Sequence, residues 1–202
     1  MIYLKDRAPV AAGNNSEVYR HPEDETTLVK VVKPEAIARA NARWDFFRGR
    51  RRRYFHLKNF MRVLEEQIAV LAAEGRASPH LEEVIGLVET DLGPGLMVRC
   101  ETYQGEIAPT LHKIMTDGGL KDHMRQPLEA FLAWLEASPI VANDTGVGNM
   151  VLSDRRDGEL RVVMIDGYGE TAAIPLKSWS RWLNRHDKRR KCDSLRRRLN
   201  LL

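Results

Sequence analysis

Short apolar segments separated by polar turns dominate the first half of the chain. Each segment has the length and composition of a β-strand, and Gly, Pro, Asn or Asp stands between neighbours. The last two segments flank Asp-Leu-Gly-Pro, which is typical of a hairpin. The pattern predicts five antiparallel strands, at residues 9–12, 17–20, 27–32, 84–90 and 95–100.

One helix is predicted between the third and fourth strands. From residue 57 apolar side chains recur at helical spacing. At 100° per residue Glu65 falls on the rim of this stripe and Glu66 on the opposite, solvated side. Glu65 is therefore the acid predicted to reach a neighbouring strand, although the choice between Glu65 and Glu66 stays open. The stripe comprises Leu57, Phe60, Met61, Leu64, Ile68 and Leu71.

A second helix and a hairpin are predicted in the other half of the chain. The helix follows Pro127, with an apolar stripe at Leu128, Phe131, Leu132 and Leu135. Further on, two apolar segments, 150–152 and 160–165, flank a turn that contains Asp157-Gly158. Asn149 directly precedes the first segment, and Asp166 directly follows the second. Antiparallel pairing of the two segments therefore predicts that Asn149 and Asp166 lie close together.

Three polar residues around this hairpin suggest an active site. Asp144 precedes Asn149 by five positions, and Asp166-Gly167 follows the second strand. Protein-kinase-like enzymes place a catalytic Asp, a metal-binding Asn and a metal-binding Asp in this order. Asp144 is therefore the candidate catalytic residue, and Asn149 and Asp166 are the candidate ligands of Mg²⁺.

Four further residues are predicted to bind the nucleotide, ATP. Lys30 alternates with valines in the third strand, and an ammonium group on an otherwise apolar face needs an anion. Gly13 and Ser16 form a Gly-x-x-Ser turn in which backbone amides could approach phosphate. Glu65 is predicted to hold the Lys30 amine as an ion-pair partner.

These elements predict an α+β fold with two lobes, of the small protein-kinase-like type. Residues 1–103 would form the N-terminal lobe, with the five-stranded antiparallel sheet and one long helix. Residues 104–202 would form a reduced helical C-terminal lobe with the β-hairpin, the catalytic loop and a basic C-terminal helix. The function predicted is transfer of the ATP γ-phosphate to an unidentified hydroxyl acceptor, which could be a small molecule, a sugar or a protein.

The composition is that of a folded, soluble chain, with 43% apolar and 30% charged residues. No run of apolar residues is long enough for a transmembrane segment, and no signal peptide is evident, which predicts a cytoplasmic protein. The net charge of +4 conceals two strongly basic segments. Within them, residues 48–53 and 188–198 could contact an anionic surface, either nucleic acid or membrane.

Two alternatives stay open at this point. The chain could be a catalytically inactive kinase-like regulatory scaffold that works through a partner. It could instead be a basic module that binds nucleic acid or a membrane surface, with interleaved Trp and Phe as contact groups. The second alternative leaves the ordered set of Lys30, Asp144, Asn149 and Asp166 unexplained.

The chain resembles the family of the PhoP regulatory network protein YrbL, within the protein-kinase-like superfamily, over residues 13–24, 88–95, 141–152 and 174–182. This resemblance implies a kinase-like protein in bacterial regulatory or envelope-stress physiology. The sequence departs from the superfamily pattern at several positions. Ala142-Asn143 replaces His-Arg, Gly146 stands where many protein kinases have Lys, and the phosphate loop retains only Gly13 of its glycines.

Overall fold

The computed structural model of the protein describes residues 1–42, 56–170 and 174–201. The chain divides into two compact units, and each contains both strands and helices. The first consists of Met1–Met61 and Glu83–Cys100, the second of Arg62–Glu82 and Glu101–Leu202. The sequence-based boundary at residue 103 places the long helix and the segment after it with the sheet. In the structure, most of this helix and that segment belong to the second unit instead.

The first unit contains a five-stranded antiparallel sheet, as predicted. Its strands are β1 (Ala11–Ala12), β2 (Ser16–Arg20), β3 (Thr27–Val32), β4 (Val84–Thr90) and β5 (Gly93–Arg99). Their order across the sheet is β1-β2-β3-β5-β4. Helix α1 (Pro34–Ala42) follows β3.

The alternation predicted for β3 is confirmed. Val29 and Val31 are buried and pack with Leu4 and Tyr19 in one apolar cluster. Lys30 lies between the two valines in sequence and is half-buried. Since successive side chains of a strand point to opposite faces, Lys30 stands on the face that this cluster does not use.

The Glu-Thr-Asp sequence at the end of β4 fixes the N-terminal segment of the chain. Thr90 Oγ1 donates to the carbonyl of Gly93 at 2.6 Å and closes the turn into β5. The carboxylate of Asp91 accepts hydrogen bonds from the backbone amides of Leu4, at 2.7 Å, and Lys5, at 3.1 Å. These bonds hold buried Leu4 against the sheet, which gives the motif a structural role.

The second unit is mainly helical. Helix α2 (Lys58–Glu74) begins in the first unit and runs into the second. No helix in the described ranges is both long and apolar enough to cross a membrane. The remaining elements are β6 (Thr102–Tyr103), β7 (Glu106–Ile107), α3 (Leu111–Thr116), α4 (Asp122–Ala137), β8 (Met150–Ser153), β9 (Arg161–Met164), α5 (Leu176–Trp179) and α6 (Arg181–Arg198).

Helix α4 supplies the centre of this unit's core. Its four predicted stripe residues, Leu128, Phe131, Leu132 and Leu135, are fully buried. The hairpin strands β8 and β9 are buried along almost their whole length. Strands buried in this way form a rigid support for the residues that flank them.

The stripe predicted for α2 is only partly correct. Phe60 is buried, but Met61, Ile68 and Leu71 are exposed. The buried positions of the helix after Phe60 are Val63, Glu66 and Val70. The sequence carries two apolar stripes at helical spacing, and periodicity within the helix does not specify which one the rest of the protein covers.

Candidate active site

The loop that carries Asp144 pairs with the Asp-Gly segment that follows β9. The backbone amides of Asn143 and Asp144 both donate to the carbonyl of Gly167, at 2.9 and 2.7 Å. An antiparallel bridge joins Ala142 to Tyr168 just before this point. The structure thus brings together the two segments that the sequence assigned to one site.

Asn149 closes the loop around Asp144. The Asp144 carboxylate accepts a hydrogen bond from the amide of Gly146 at Oδ1, at 2.9 Å. The carbonyl of Gly146 accepts from the amide of Asn149 at 2.9 Å. The side-chain amide of Asn149 donates to the carbonyl of Asp144 at 3.3 Å. Asp144 is exposed, and its Oδ2 accepts no hydrogen bond from the described residues.

The β8–β9 hairpin returns the chain to Asn149, as predicted. Met150 pairs with Met164 at the start of the hairpin. One residue outward, the amide of Ile165 donates to the carbonyl of Asn149 at 2.9 Å. Asp166 follows directly, is exposed, and accepts a hydrogen bond from the next backbone amide at 2.7 Å. Asn149 and Asp166 are therefore brought close by strand pairing.

The site requires glycine at position 167. Gly167 has a φ of +85°, where residues with a Cβ are strained. A Cβ there would lie 2.1 Å from the carbonyl oxygen of Asp144 and 2.8 Å from the side-chain nitrogen of Asn149. The close approach of Asp144, Asn149 and Gly167 therefore depends on a residue without a side chain at position 167.

The polar atoms at this place fit a hard divalent cation. Because the Asn149 nitrogen is the hydrogen-bond donor, its Oδ1 remains as a neutral oxygen ligand. Asp166 uses Oδ1 for the following amide, so Oδ2 remains as a charged ligand. In the described ranges no cluster of three or more His, Cys, Asp or Glu could hold a metal ion. Two oxygen ligands suit Mg²⁺, which takes its other ligands from water and phosphate in phosphotransferases.

The predicted phosphate-binding residues lie in the first unit. Gly13 and Ser16 bracket the turn between β1 and β2, and the amide of Gly13 donates to the carbonyl of Ser16 at 2.8 Å. A Cβ at Gly13 would lie 3.7 Å from that carbonyl oxygen, an ordinary contact. Packing among the described residues therefore does not require glycine there. Lys30 lies mid-strand in β3, between Val18 of β2 and Leu96 of β5 in the register.

Glu66, and not Glu65, is the buried acid of α2. Glu66 is 7% exposed, and its carboxylate accepts a hydrogen bond of 2.9 Å from the backbone amide of Val141. Glu65 is exposed. The sequence-based placement of Glu66 on the solvated side of the helix is wrong, because the packed face is the one that carries Val63 and Val70.

Burial sets the protonation of Glu66. It raises the pKa of the carboxyl group to about 7, while the hydrogen bond from Val141 opposes this rise. Lys188 of α6 attracts the charged carboxylate and opposes it as well. Burial in turn lowers the pKa of Lys188 to about 8. A buried carboxyl group and a buried ammonium group thus lie beside the segment that leads to Asp144.

Helix α6 binds the backbone of that segment through polar side chains. Asn184 donates to the carbonyls of Pro139, at 3.1 Å, and Ile140, at 2.9 Å. The ammonium group of Lys188, which is 1% exposed, donates to the carbonyl of Ser138. Buried carbonyl groups need such partners, and here a helix supplies them from its side chains.

Lys191 continues this row of donors up to the loop of Asp144. Its ammonium group donates to the carbonyls of Ala142, at 2.5 Å, and Asn143, at 3.0 Å. Asp187 holds the lysine from the same helix, at 2.9 Å, and also pairs with Lys177 at 2.7 Å. The residue that directly precedes Asp144 is therefore anchored to α6.

The sequence-based interpretation of the basic helix was therefore incomplete. Within residues 188–198, Lys188 is buried, and Arg196 pairs with Glu129 and Glu136 at 3.1 and 3.0 Å. Lys188 is therefore internal, and the charge of Arg196 is paired within the protein. The signal that could have identified this face is the spacing of Asn184, Lys188, Lys191 and Leu195 along one side of the helix. Residues 48–53 lie outside the described residues.

A protein-kinase-like class follows from the fold and the site together. An antiparallel five-stranded sheet and a long helix precede the Asp144 loop, and a hairpin then leads to Asp166-Gly167. The family model described as PhoP regulatory network protein YrbL matches residues 2–200. The chain belongs to this family, and the predicted membership is confirmed.

Two curated relatives show the same identity to the chain. Both are described as uncharacterized protein YrbL, one from Escherichia coli (strain K12) and one from Shigella flexneri. Each is 26% identical over 186 residues, which cover 90% of this chain and 80% of the relative.

Solved structures of kinase domains align with part of the protein. The Mycobacterium tuberculosis PknI kinase domain aligns with a TM-score of 0.48 and 18% identity, over 79% of this chain and 57% of that chain. Rad53 1-466 in complex with AMP-PNP aligns with a TM-score of 0.48 and 12% identity, over 79% of this chain and 37% of that chain. The protein thus spans just over half of the first of these chains and less of the second.

Proposed function

We propose that the protein is an ATP-dependent phosphotransferase that moves the γ-phosphate to a hydroxyl group of an acceptor. The observation that carries this proposal is the joining of Asn143 and Asp144 to Gly167 through backbone hydrogen bonds of 2.9 and 2.7 Å. These bonds set Asp144, Asn149 and Asp166 in one small region. Phosphoryl transfer requires mostly positioning and charge neutralisation, which such an arrangement can supply.

Asp144 would act as the base. Its Oδ1 is oriented by the amide of Gly146, and Oδ2 has no partner among the described residues. The acceptor hydroxyl would donate its proton to Oδ2 while its oxygen bonds to the γ-phosphorus. The bond from that phosphorus to the β,γ-bridging oxygen would break, and ADP would leave.

Asn149 and Asp166 would hold Mg²⁺ through their remaining oxygens. When bound, the cation would neutralise charge on the β- and γ-phosphate oxygens. The orientation of Asn149 is fixed by its bond to the Asp144 carbonyl at 3.3 Å, and that of Asp166 by the Gly167 amide at 2.7 Å. Pre-oriented ligands lower the cost of forming the metal site.

Gly13, Ser16 and Lys30 would bind the nucleotide phosphates. The support for Gly13 is its position at the turn between β1 and β2, where it adds no side chain that would hinder the approach of a phosphate group. Lys30 supplies a positive charge from one face of β3, and the opposite face of this strand is buried. An ion pair of Lys30 with Glu65 stays a prediction. It was derived from the predicted buried face of α2, and the burial of Glu66 shows that another face of the helix is packed.

The proposal is tested by adding Mg-ATP and measuring thermal stability and turnover. At a ligand concentration of about 100 times Kd, stabilisation of about 2.7 kcal/mol is expected. Asp144→Asn should keep this stabilisation but lose phosphate transfer. In Asp166→Asn, the stabilisation by ATP should no longer depend on Mg²⁺. Asp6→Asn, which changes an exposed carboxylate of the first unit, is the matched control and should behave as wild type.

Three results would contradict the proposal, each in a different way. Absence of any stabilisation by millimolar Mg-ATP would exclude nucleotide binding. Stabilisation without turnover in the wild-type protein, across hydroxyl acceptors in a cell lysate, would favour the inactive kinase-like scaffold. Wild-type turnover in Asp144→Asn would show that Asp144 is not the base.

A further inference from the structure

Five large apolar side chains are exposed within ten residues around α5 and the start of α6. The two tryptophans of this set are each 73% exposed. Large exposed apolar groups that cluster in this way mark sites of interaction, whereas single ones are ordinary. The five are Ile174, Leu176, Trp179, Trp182 and Leu183.

The inner face of α6 explains why Trp182 and Leu183 face solvent. The side of the helix that packs on the protein carries Asn184, Lys188 and Lys191, which bond to backbone carbonyls. Trp182 therefore stands on the outer side. Its indole ring stacks on the imidazole of His186, with ring centroids 5.7 Å apart and an angle of 10° between the planes. This contact orients the tryptophan in the absence of a partner.

The solvent-exposed positions of α6 are strongly cationic. Six of its arginines are exposed, and Asp193 is the exposed acid of the helix. The other acid, Asp187, is engaged by Lys177 and Lys191. Little negative charge therefore offsets the guanidinium groups that face outward. The exposed arginines are Arg181, Arg185, Arg189, Arg190, Arg197 and Arg198.

We propose that this surface, formed by the five apolar side chains and the exposed arginines of α6, docks on a membrane that contains anionic phospholipids. Tryptophan prefers the boundary between lipid headgroups and acyl chains, and arginine is attracted to anionic headgroups. Ile174, Leu176 and Leu183 would add apolar area at the depth of the indole rings.

The aliphatic residues favour lipid over nucleic acid. Single-stranded nucleic acid binds aromatic side chains by base stacking, together with a basic groove along the backbone. Ile, Leu and Leu provide no stacking surface, and they account for more than half of the exposed apolar residues of the set. A lipid boundary gives all five side chains an apolar environment, while the arginines contact headgroup phosphates.

Docking through the outer side would leave the candidate active site's supports in place. The side chains that bond to the segment before Asp144 come from the opposite side of α6. The proposal therefore stands independently of phosphotransfer. Loss of lipid binding in a variant that still transfers phosphate would separate the two functions.

The test is co-sedimentation of the full chain with vesicles. Vesicles of phosphatidylcholine with about 40% phosphatidylglycerol should bind the protein, and vesicles of phosphatidylcholine alone should bind it far less. Binding should weaken as salt rises from low to physiological concentration. Trp179→Ser combined with Trp182→Ser should weaken binding by about tenfold or more. Arg185→Gln combined with Arg189→Gln should do the same.

Matched controls come from exposed residues elsewhere. Tyr3→Ser removes an aromatic ring that is 67% exposed in the first unit, and Arg7→Gln with Arg76→Gln removes two exposed arginines. These variants should bind vesicles as the wild type does. All substituted side chains are exposed, so melting temperatures should be unchanged, and this measurement verifies that each variant is folded.

Three outcomes would overturn the proposal. The first is equal sedimentation with neutral and anionic vesicles, or none with either. The second is tight binding to an oligonucleotide that both double variants abolish, without vesicle binding, which would assign the surface to nucleic acid. The third is a dimer in solution that Trp179→Ser with Trp182→Ser dissociates, which would assign it to a second copy of the chain.

Discussion

The carboxylate of Glu66 on α2 accepts a hydrogen bond of 2.9 Å from the backbone amide of Val141. Val141 lies three positions before Asp144, in a segment whose backbone is bound by side chains on both flanks. Glu66 takes the amide, and Asn184, Lys188 and Lys191 of α6 supply donors to the carbonyls. The path into the candidate catalytic loop is therefore fixed by side chains from two helices.

Glu66 should make the protein less stable as pH rises. Its pKa is about 7 in the folded protein, above the value of 4.5 for a free Glu side chain. The folded state therefore binds the proton more readily than the unfolded state. This contribution is fully present below about pH 4.5 and is lost as pH rises through about 7.

Glu66→Gln should remove this pH dependence. The amide oxygen of Gln can still accept from Val141, and the side chain carries no charge to desolvate. The variant should be more stable than wild type at pH 8 and close to it at pH 4.5. Urea unfolding is measured at both values, and the difference between the proteins cancels titrating groups that do not interact with Glu66, such as His80. An equal difference at both pH values would show that Glu66 does not titrate in this range.

The sequence could predict the parts of the site that depend on local pairing. The hairpin between β8 and β9 is specified by short strands and an Asp-Gly turn, so Asn149 and Asp166 could be placed together. The buried face of α2 could not be predicted. Both Glu65 and Glu66 lie next to apolar positions, and the contact that decides between them, with Val141, is distant in sequence.

Lys191 should matter for turnover more than for nucleotide binding. It anchors the carbonyls of Ala142 and Asn143 directly before Asp144. Lys191→Met leaves these carbonyls without their donor, at a cost of about 1–3 kcal/mol in the free energy of unfolding. If the proposed phosphotransfer holds, kcat should fall by about tenfold or more while the stabilisation by Mg-ATP is kept.

The neighbouring Arg190 provides the control for Lys191. Arg190 is exposed on the same helix, so Arg190→Met should change neither stability nor turnover by much. Lys191→Arg keeps a donor at the position and should restore part of the kcat. Equal effects of Lys191→Met on kcat and on nucleotide affinity would show that the lysine acts only through general stability.

The role of α6 could not be predicted from composition. Its run of Arg and Lys is typical of an exposed basic helix, and six arginines are indeed exposed. Lys188 and Lys191 are chemically indistinguishable from their neighbours in the sequence. Burial of Lys188 is possible because the carbonyl of Ser138 and the carboxylate of Glu66 compensate for desolvation, and both come from distant segments.

Gly167→Ala should destabilise the protein far more than an equivalent change elsewhere. Gly158 has a similar φ, +76° against +85° for Gly167, but a Cβ at Gly158 would meet nothing within 4 Å. Gly158→Ala should therefore cost only the backbone strain of a left-handed residue, about 1–2 kcal/mol. Gly167→Ala adds a clash with the carbonyl of Asp144 at 2.1 Å. The free energies of unfolding of the two variants in urea should differ by several kcal/mol, and equal values would mean that the loop moves away without cost.

Gly13→Ala separates folding from nucleotide binding in the first unit. Gly13 does not have a positive φ, and a Cβ there would lie 3.7 Å from the carbonyl oxygen of Ser16. The substitution should therefore leave the melting temperature of the free protein unchanged. If the turn binds phosphate through its backbone, the added methyl group should reduce the stabilisation by Mg-ATP, because it stands between the amides and the phosphate oxygens. A full Mg-ATP shift in this variant, measured with the wild type at the same ligand concentration, would exclude close contact between the turn and the nucleotide.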